Sequence, residues 1–198
     1  MFHRFAIADL PRTPWKNGGG STREVVCQPP GAGMDRFDWR VSIATIAKPG
    51  PFSVFAGIDR SIVLLDGDGV QLRAPGHFDH RLDTSAQPFA FAGDLAVDCT
   101  LLGGESTDFN VMTRRGVVCA DVAVHHGAAT LPTVLGGVLL VLEGGWQLSS
   151  PQRTLDAGLD IPAGHGVWWV EQVGAMQLQP RTPQARLLAA AIRPAGQE

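Results

Sequence analysis

The strongest constraint on the fold is that the chain repeats itself. The segment Ile62-Val63-Leu64-Leu65-Asp66-Gly67-Asp68-Gly69-Val70-Gln71-Leu72 is answered by Leu139-Leu140-Val141-Leu142-Glu143-Gly144-Gly145-Trp146-Gln147-Leu148. Both copies run from an apolar stretch through an acidic-Gly turn to x-Gln-Leu. A short, nearly continuous apolar run bounded by turn residues suits a buried strand, and acidic-Gly pairs are hairpin signals. Downstream, Arg81-Leu82-Asp83 matches Thr154-Leu155-Asp156, and Phe91-Ala92-Gly93-Asp94 matches Ile161-Pro162-Ala163-Gly164-His165. Two such units of short strands predict a duplicated β-barrel or β-sandwich, against the alternative of two unrelated hairpins that look alike.

The remaining punctuation agrees with an all-β chain. Glycine (24) and proline (14) are abundant enough to favour many short strands and turns over long helices. Phe37-Asp38-Trp39-Arg40-Val41-Ser42-Ile43-Ala44 alternates with period two, putting Phe37, Trp39, Val41 and Ile43 on one face and Asp38, Arg40 and Ser42 on the other. Arg23 to Cys27 is a further strand candidate, as are Phe89 to Phe91 and Val97 to Leu102, whereas Asp108 to Arg115 reads as a connector. Arg186 to Ile192 has helix propensity but is short, follows a strand-like stretch and ends at Pro194, so a closing strand is favoured. The expected division is residues 1–115, an N-terminal segment with the first unit and connector, and residues 116–198, the second unit, together forming one compact body.

Charge and cysteine content exclude several classes of function. A formal net charge of -3 gives no electrostatic reason to expect nucleic acid or an anionic membrane as partner. Cys27, Cys99 and Cys119 have no paired spacing, which argues for a reducing compartment and against a disulfide framework or structural zinc. The apolar run at the N-terminus is too short for a signal peptide and is interrupted by Asp9, and no stretch approaches the ~18 apolar residues of a membrane span. A cytoplasmic protein is expected.

The densest chemistry lies in Trp15-Lys16-Asn17-Gly18-Gly19-Gly20-Ser21-Thr22-Arg23-Glu24, where cations, an amide, hydroxyls and a carboxylate surround three consecutive glycines. Consecutive glycines allow close backbone approach at an entropic cost, so this segment is expected to line a pocket. It is not a phosphate loop, because Lys16 precedes the glycines and a strand follows them. No Gly-x-Ser-x-Gly occurs, and no cysteine stands in a recognisable nucleophile setting. Metal-dependent enzymes on β-barrels place two histidines at i and i+2 of one strand. This chain has no His-x-His: His77 and His80 flank a turn, His125 and His126 are adjacent, and His3 and His165 stand alone, so no metal site and no cofactor are expected.

The acidic-Gly turn followed by a Pro-x-Gly turn has the rhythm of the cupin fold. The set Trp15 to Glu24, Phe37-Asp38-Trp39-Arg40, Gly50-Pro51-Phe52-Ser53, Gly57-Ile58-Asp59-Arg60 and Asp108-Phe109-Asn110-x-Met112-x-Arg114 resembles the HutD/Ves family. The resemblance covers nearly the whole chain and is strongest from Trp15 to Arg115. It implies a bicupin, two cupin-like β-barrels or sandwiches in one chain, without an established catalytic activity. HutD members are linked to histidine utilisation, where binding of N-formylglutamate and a limit on pathway flux have been proposed. Ves members are associated with stress, notably cold.

Within the matching motifs, Lys16, Arg23, Arg40, Arg60 and Arg114 suit carboxylate binding, and Asn17 and Asn110 suit an amide or formyl group. The opposing expectation is an internal network in which the arginines pair with Glu24, Asp38, Asp59 and Asp108. Strand alternation would put Arg23, Val25 and Cys27 on one face and Thr22, Glu24 and Val26 on the other, and would align Asp108, Asn110, Met112 and Arg114 if that stretch is extended. Trp39, Phe52, Phe55, Phe89, Phe91 and the Trp168-Trp169 pair are expected in the core, and Trp15 is expected to anchor the glycine segment. The resulting expectation is a non-catalytic protein that binds a small carboxylated metabolite and modulates histidine degradation. The alternatives are a cupin-scaffold enzyme with an unusual site, and a stress-related interaction module. A sheet edge would also allow a homodimer.

Overall fold

The computed structural model describes residues 1–150, 158–171 and 174–196. The chain divides into two compact units, one of Pro11–Val117 and one that joins Met1–Leu10 to the chain from Val118 onward. It opens with β1 (His3–Ala6), a 3-10 turn over Ile7–Asp9, and β2 (Arg12–Pro14).

The unit of Pro11–Val117 continues through β3 (Gly20–Gln28), a single helical turn α1 (Gly33–Arg36), β4 (Trp39–Ile46), β5 (Gly50–Pro51) and β6 (Ile58–Gly67). It then runs through β7 (Val70–Ala74), β8 (Phe78–Leu82), β9 (Pro88–Ala92), β10 (Asp98–Leu101) and β11 (Ser106–Arg114). These strands form a six-stranded sheet in the order β2-β3-β4-β11-β6-β9 and a four-stranded sheet in the order β5-β10-β7-β8. Ile46, Ile62 and Leu64 of the first sheet pack with Val70, Leu72, Leu82 and Cys99 of the second in one apolar cluster. Burial of that apolar surface between two antiparallel sheets is what holds a sandwich together.

The other unit contains β12 (Val118–His125), β13 (Ala129–Leu131), β14 (Gly136–Glu143), β15 (Gly145–Ser149), β16 (Leu159–Pro162), β17 (His165–Trp169), β18 (Met176–Pro180) and β19 (Arg186–Pro194). Its sheets run β1-β17-β14-β19-β12 and β13-β18-β15-β16. Read from the other end, the first is β12-β19-β14-β17, the same succession as β4-β11-β6-β9, and the small sheets correspond strand for strand. Even the irregularity recurs: β6 leaves out Leu65 between the partners of Thr107 and Asp108, and β14 leaves out Leu142 between the partners of Arg186 and Leu187. The all-β bicupin architecture and the closing strand over residues 186–194 stand as expected.

Several sequence expectations change. The acidic-Gly turns do not close hairpins; at Gly67–Gly69 and at Gly144 the chain leaves its large sheet and enters the small one. Gly67, Gly69 and Gly144 take φ of 94°, 89° and 70°, and a Cβ on Gly67 would run into the Glu105 carbonyl. The turn is therefore a tight corner that only glycine fits. Residues 108–115 are not a connector: β11 is hydrogen-bonded to β4 on one side and β6 on the other. The true counterpart of Leu82 is Ile161, since they pair with Val70 and Trp146, so Phe91 corresponds to Trp169 and not to Ile161. Thr154-Leu155-Asp156 lies outside the described residues. His3–Ala6, first in sequence, pairs with β17 in the unit that ends the chain.

Candidate functional site

Three adjacent strands of the six-stranded sheet set polar side chains on one face. Arg40 of β4, Met112 of β11 and Arg60 of β6 form one row across the sheet. The next row is Ser42, Asn110 and Ile62, and the one after it Ala44, Asp108 and Leu64. Cross-strand partners share a face and side chains alternate along a strand, so these positions face one way. Beside them β3 contributes Thr22 and Glu24, opposite Ala44 and Ser42. This face walls a cavity of about 780 Å³ that is also lined by Trp15, Lys16, Asn17, Phe52 and Phe55. That volume is in the range of small-molecule sites.

Each arginine in the cavity is fixed by part of its fork. Arg40, only 8% exposed, donates from Nε to Glu24 Oε2 at 2.7 Å and from Nη1 to Ser42 Oγ at 3.3 Å. Arg60 donates from Nε and Nη2 to Asn110 Oδ1 at 3.3 and 3.1 Å. Its guanidinium carbon lies 4.9 Å from the Phe52 ring centre, 5.1 Å from Phe91 and 6.0 Å from Phe55. The aromatic faces stabilise the cation and hold it in place. Burial pulls the Arg60 pKa down to about 10, which leaves it charged at neutral pH. Because Asn110 Oδ1 is turned to Arg60, its amide N–H groups are directed elsewhere.

Asp108 is the outlier. It is 3% exposed on the cavity wall, and among the described residues no hydrogen bond or ion pair reaches its carboxyl oxygens. Burial pushes its pKa from 3.8 up to about 7, with the charge of Arg60 pulling the other way.

The other residues picked from the sequence are placed differently. Lys16 and Asn17 lie at the cavity in the loop before β3, but Asn17 Oδ1 accepts from the Gly19 N–H at 2.9 Å and so shapes that loop. Trp15 anchors it, donating from Nε1 to Thr22 Oγ1 at 2.8 Å. Arg23 pairs across to Ile43, on the opposite face of the sheet from the cavity. A register shift between Glu24 and Val26 reverses the alternation, so Cys27, not Arg23, shares a face with Arg40. Arg114, at the end of β11, donates from Nε to the Phe37 carbonyl at 2.9 Å and stands 3.9 Å from Asp38. Asp59 binds Arg115, at 3.0 and 2.6 Å, instead of an arginine of the cavity. Ser42, Glu24, Phe52, Phe55 and Asp108 complete the site. The sequence signal for Asp108 and Ser42 was the alternation Asp108-x-Asn110-x-Met112 and its partner Arg40-x-Ser42.

The middle glycine run has a structural function of its own. A Cβ on Gly20 would collide with the Thr45 carbonyl and lie 2.9 Å from the Trp15 ring. Gly20→Ala is therefore expected to cost about 1–3 kcal/mol of stability and to displace Trp15. Chemical denaturation, with Trp15→Phe as the control for tryptophan emission, checks this.

The repeated unit shows what the fold itself requires. Counting from the shared irregularity, Leu187, Ala189 and Ala191 of β19 occupy the positions of Asp108, Asn110 and Met112, and Gly137 of β14 that of Arg60. A Cβ on Gly137 would lie 2.8 Å from the ring of Trp169, the counterpart of Phe91. Leu187, Ala189 and Ala191 belong to an apolar cluster with Trp146, Trp169 and Met176. The equivalent positions are thus packed and apolar in one sandwich and line a polar cavity in the other. The three cysteines are free, and among the described residues no group of three or more His, Cys, Asp or Glu could hold a metal ion. No described helix is long and apolar enough to cross a membrane.

Comparison with known proteins agrees with this architecture. Protein Ves of Citrobacter koseri is 46% identical over 155 residues, which cover 78% of this chain and 80% of Ves. A conserved protein of unknown function from Pseudomonas aeruginosa PAO1 has a solved structure that matches at a TM-score of 0.86, with 32% identity over 98% of this chain and 99% of its own. HutD from Pseudomonas fluorescens SBW25, solved in a formate condition, matches at 0.83, with 28% identity over 99% of this chain and 100% of its own. The HutD family model matches residues 7–188. With its duplicated sandwich and the match across both halves, the chain belongs to the HutD family.

Proposed function

We propose that this protein is a non-catalytic binder of a small carboxylated metabolite, held in the cavity of the Pro11–Val117 unit. The observation that supports it is the meeting of Arg40, Arg60 and Asn110 on one face of a hollow of about 780 Å³. Each guanidinium spends only part of its fork on protein partners, so donors remain for a carboxylate. Lys16, on the loop beside the cavity, adds positive charge. The family link to histidine utilisation makes N-formylglutamate the leading ligand, with the protein acting in the cytoplasm to modulate flux through histidine degradation.

Thermal shift with N-formylglutamate, glutamate and urocanate, against chloride controls, tests this. A ligand at about 100 times its Kd stabilises by about 2.7 kcal/mol, or roughly 5–10 °C for a chain of this size. No specific shift at millimolar concentration would count decisively against the proposal.

A second function has one observation in its favour. Asp108, buried in a cleft and titrating at about 7, is suited to general acid–base catalysis. Turnover of a bound ligand followed by proton NMR separates an enzyme from a binder.

A further inference from the structure

Resting on the carboxylate-binding proposal, we further propose that Asp108 determines specificity by accepting a hydrogen bond from an N–H group of the ligand. The cavity then takes carboxylates that also carry an amide or ammonium nitrogen and discriminates against those that do not.

Three observations carry this. First, Asp108 is 3% exposed on the cavity wall and has no protein hydrogen-bond partner among the described residues. An acceptor that opens onto a cavity, rather than being sealed in the core, takes its hydrogen bond from whatever fills that cavity, so a ligand N–H can take the place of water there.

Second, the fold does not require the carboxyl. Leu187 fills the equivalent position in the repeated unit, at the same place relative to the strand irregularity, and is buried in an apolar core. A charged side chain where the duplicate has leucine costs desolvation and gives no packing advantage. Its presence is explained by what it binds.

Third, the cavity holds the Arg60 guanidinium and the Asp108 carboxyl apart. Arg60 is held by Asn110 and three aromatic rings and forms no ion pair with Asp108. Along the sheet, Asp108 is two rows from Arg40 and Arg60, with Asn110 between them. Arg40 is already paired with Glu24, so Arg60, which has no carboxylate in ion-pair contact among the described residues, is the cation that stands apart from Asp108. Kept apart, they match a ligand with negative charge at one end and a donor further along. Burial raises the pKa of Asp108, and a hydrogen bond from a ligand N–H would favour its charged form.

The test is a pair of ligands that differ in one atom: N-formyl-L-glutamate, and the ester analogue (S)-2-(formyloxy)pentanedioate, in which oxygen replaces the N–H. Calorimetry at pH 8 is run on wild type, Asp108→Leu and Asp108→Asn. Wild type is expected to bind the amide about 10- to 100-fold more tightly than the ester, the range of a hydrogen bond to a charged group. Asp108→Leu is expected to bring the ratio near unity, and Asp108→Asn, with a neutral acceptor, to an intermediate value. Equal binding of both ligands by wild type overturns the assignment of Asp108 but leaves carboxylate binding in place. A ratio unchanged in the variants does the same. Failure of wild type to bind either ligand overturns carboxylate binding, and the specificity assignment falls with it. Should Asp108→Leu fail to fold, Asp108→Asn alone decides.

Discussion

Replacing Asp108 by leucine is expected to stabilise the protein, and to do so more at pH 8 than at pH 5. The folded-state pKa of Asp108 is raised from 3.8 to about 7, so the native protein holds this proton more tightly than the unfolded chain does. Stability is therefore lost as pH rises through that interval and is level above it. At 1.36 kcal/mol per pH unit, the deficit reaches about 4 kcal/mol at pH 8 and about 1–2 kcal/mol at pH 5. Leucine removes the deficit, and Leu187 shows the side chain accommodated at the equivalent place in the same fold. Urea unfolding of both proteins at the two pH values measures it. A variant less stable than wild type at pH 8, or a difference that does not grow with pH, contradicts the expectation.

Arg60→Ala should move stability the other way. The substitution strips Asn110 Oδ1 of both its donors, at 3.1 and 3.3 Å, and leaves the Phe52 and Phe91 rings without the cation they pack around. An orphaned buried acceptor costs about 1–3 kcal/mol and a lost cation–π contact about 0.5–2 kcal/mol, so a total near 2–4 kcal/mol is expected. Asp108 also loses the charge that opposes burial, so its titration should move above the wild-type value of about 7. Carboxyl carbon NMR across pH 5 to 9 reads that shift directly. Arg60→Lys keeps the charge but loses the planar fork, and should retain the Asp108 titration while losing most ligand affinity. A titration that stays in place in Arg60→Ala would mean that the two groups do not sense one another.

The sequence was most informative where local periodicity coincides with the tertiary environment. Residues 39–46 alternate cleanly and form a strand, and the apolar runs at Ile62 and Leu139 mark equivalent strands of two equivalent sandwiches. It was misleading where one residue changes the phase. The register shift between Glu24 and Val26 carries Cys27 to the face of Arg40 and away from that of Arg23, which strict alternation cannot foresee. The acidic-Gly pairs carry the local chemistry of any tight turn, and only the wider topology decides whether the next strand joins the same sheet or the opposite one. Asp108 was visible as a partner for the arginines. Glu24 was named beside it and does pair with Arg40, whereas Arg60 takes Asn110 in place of Asp108, a choice set by which strands lie side by side in the fold as a whole.

Strand β1 ties the opening residues of the chain to β17, far along the sequence, while everything from Pro11 to Val117 lies within one uninterrupted stretch. During synthesis the Pro11–Val117 unit can thus complete its sheets as soon as β11 emerges, whereas residues 3–6 must wait for residues 165–168 before they find their pairing. Among the described strand pairings, β1 with β17 closes the longest loop, which carries the largest closure entropy. Until β1 docks, β17 presents an open edge, a hazard for association between nascent chains.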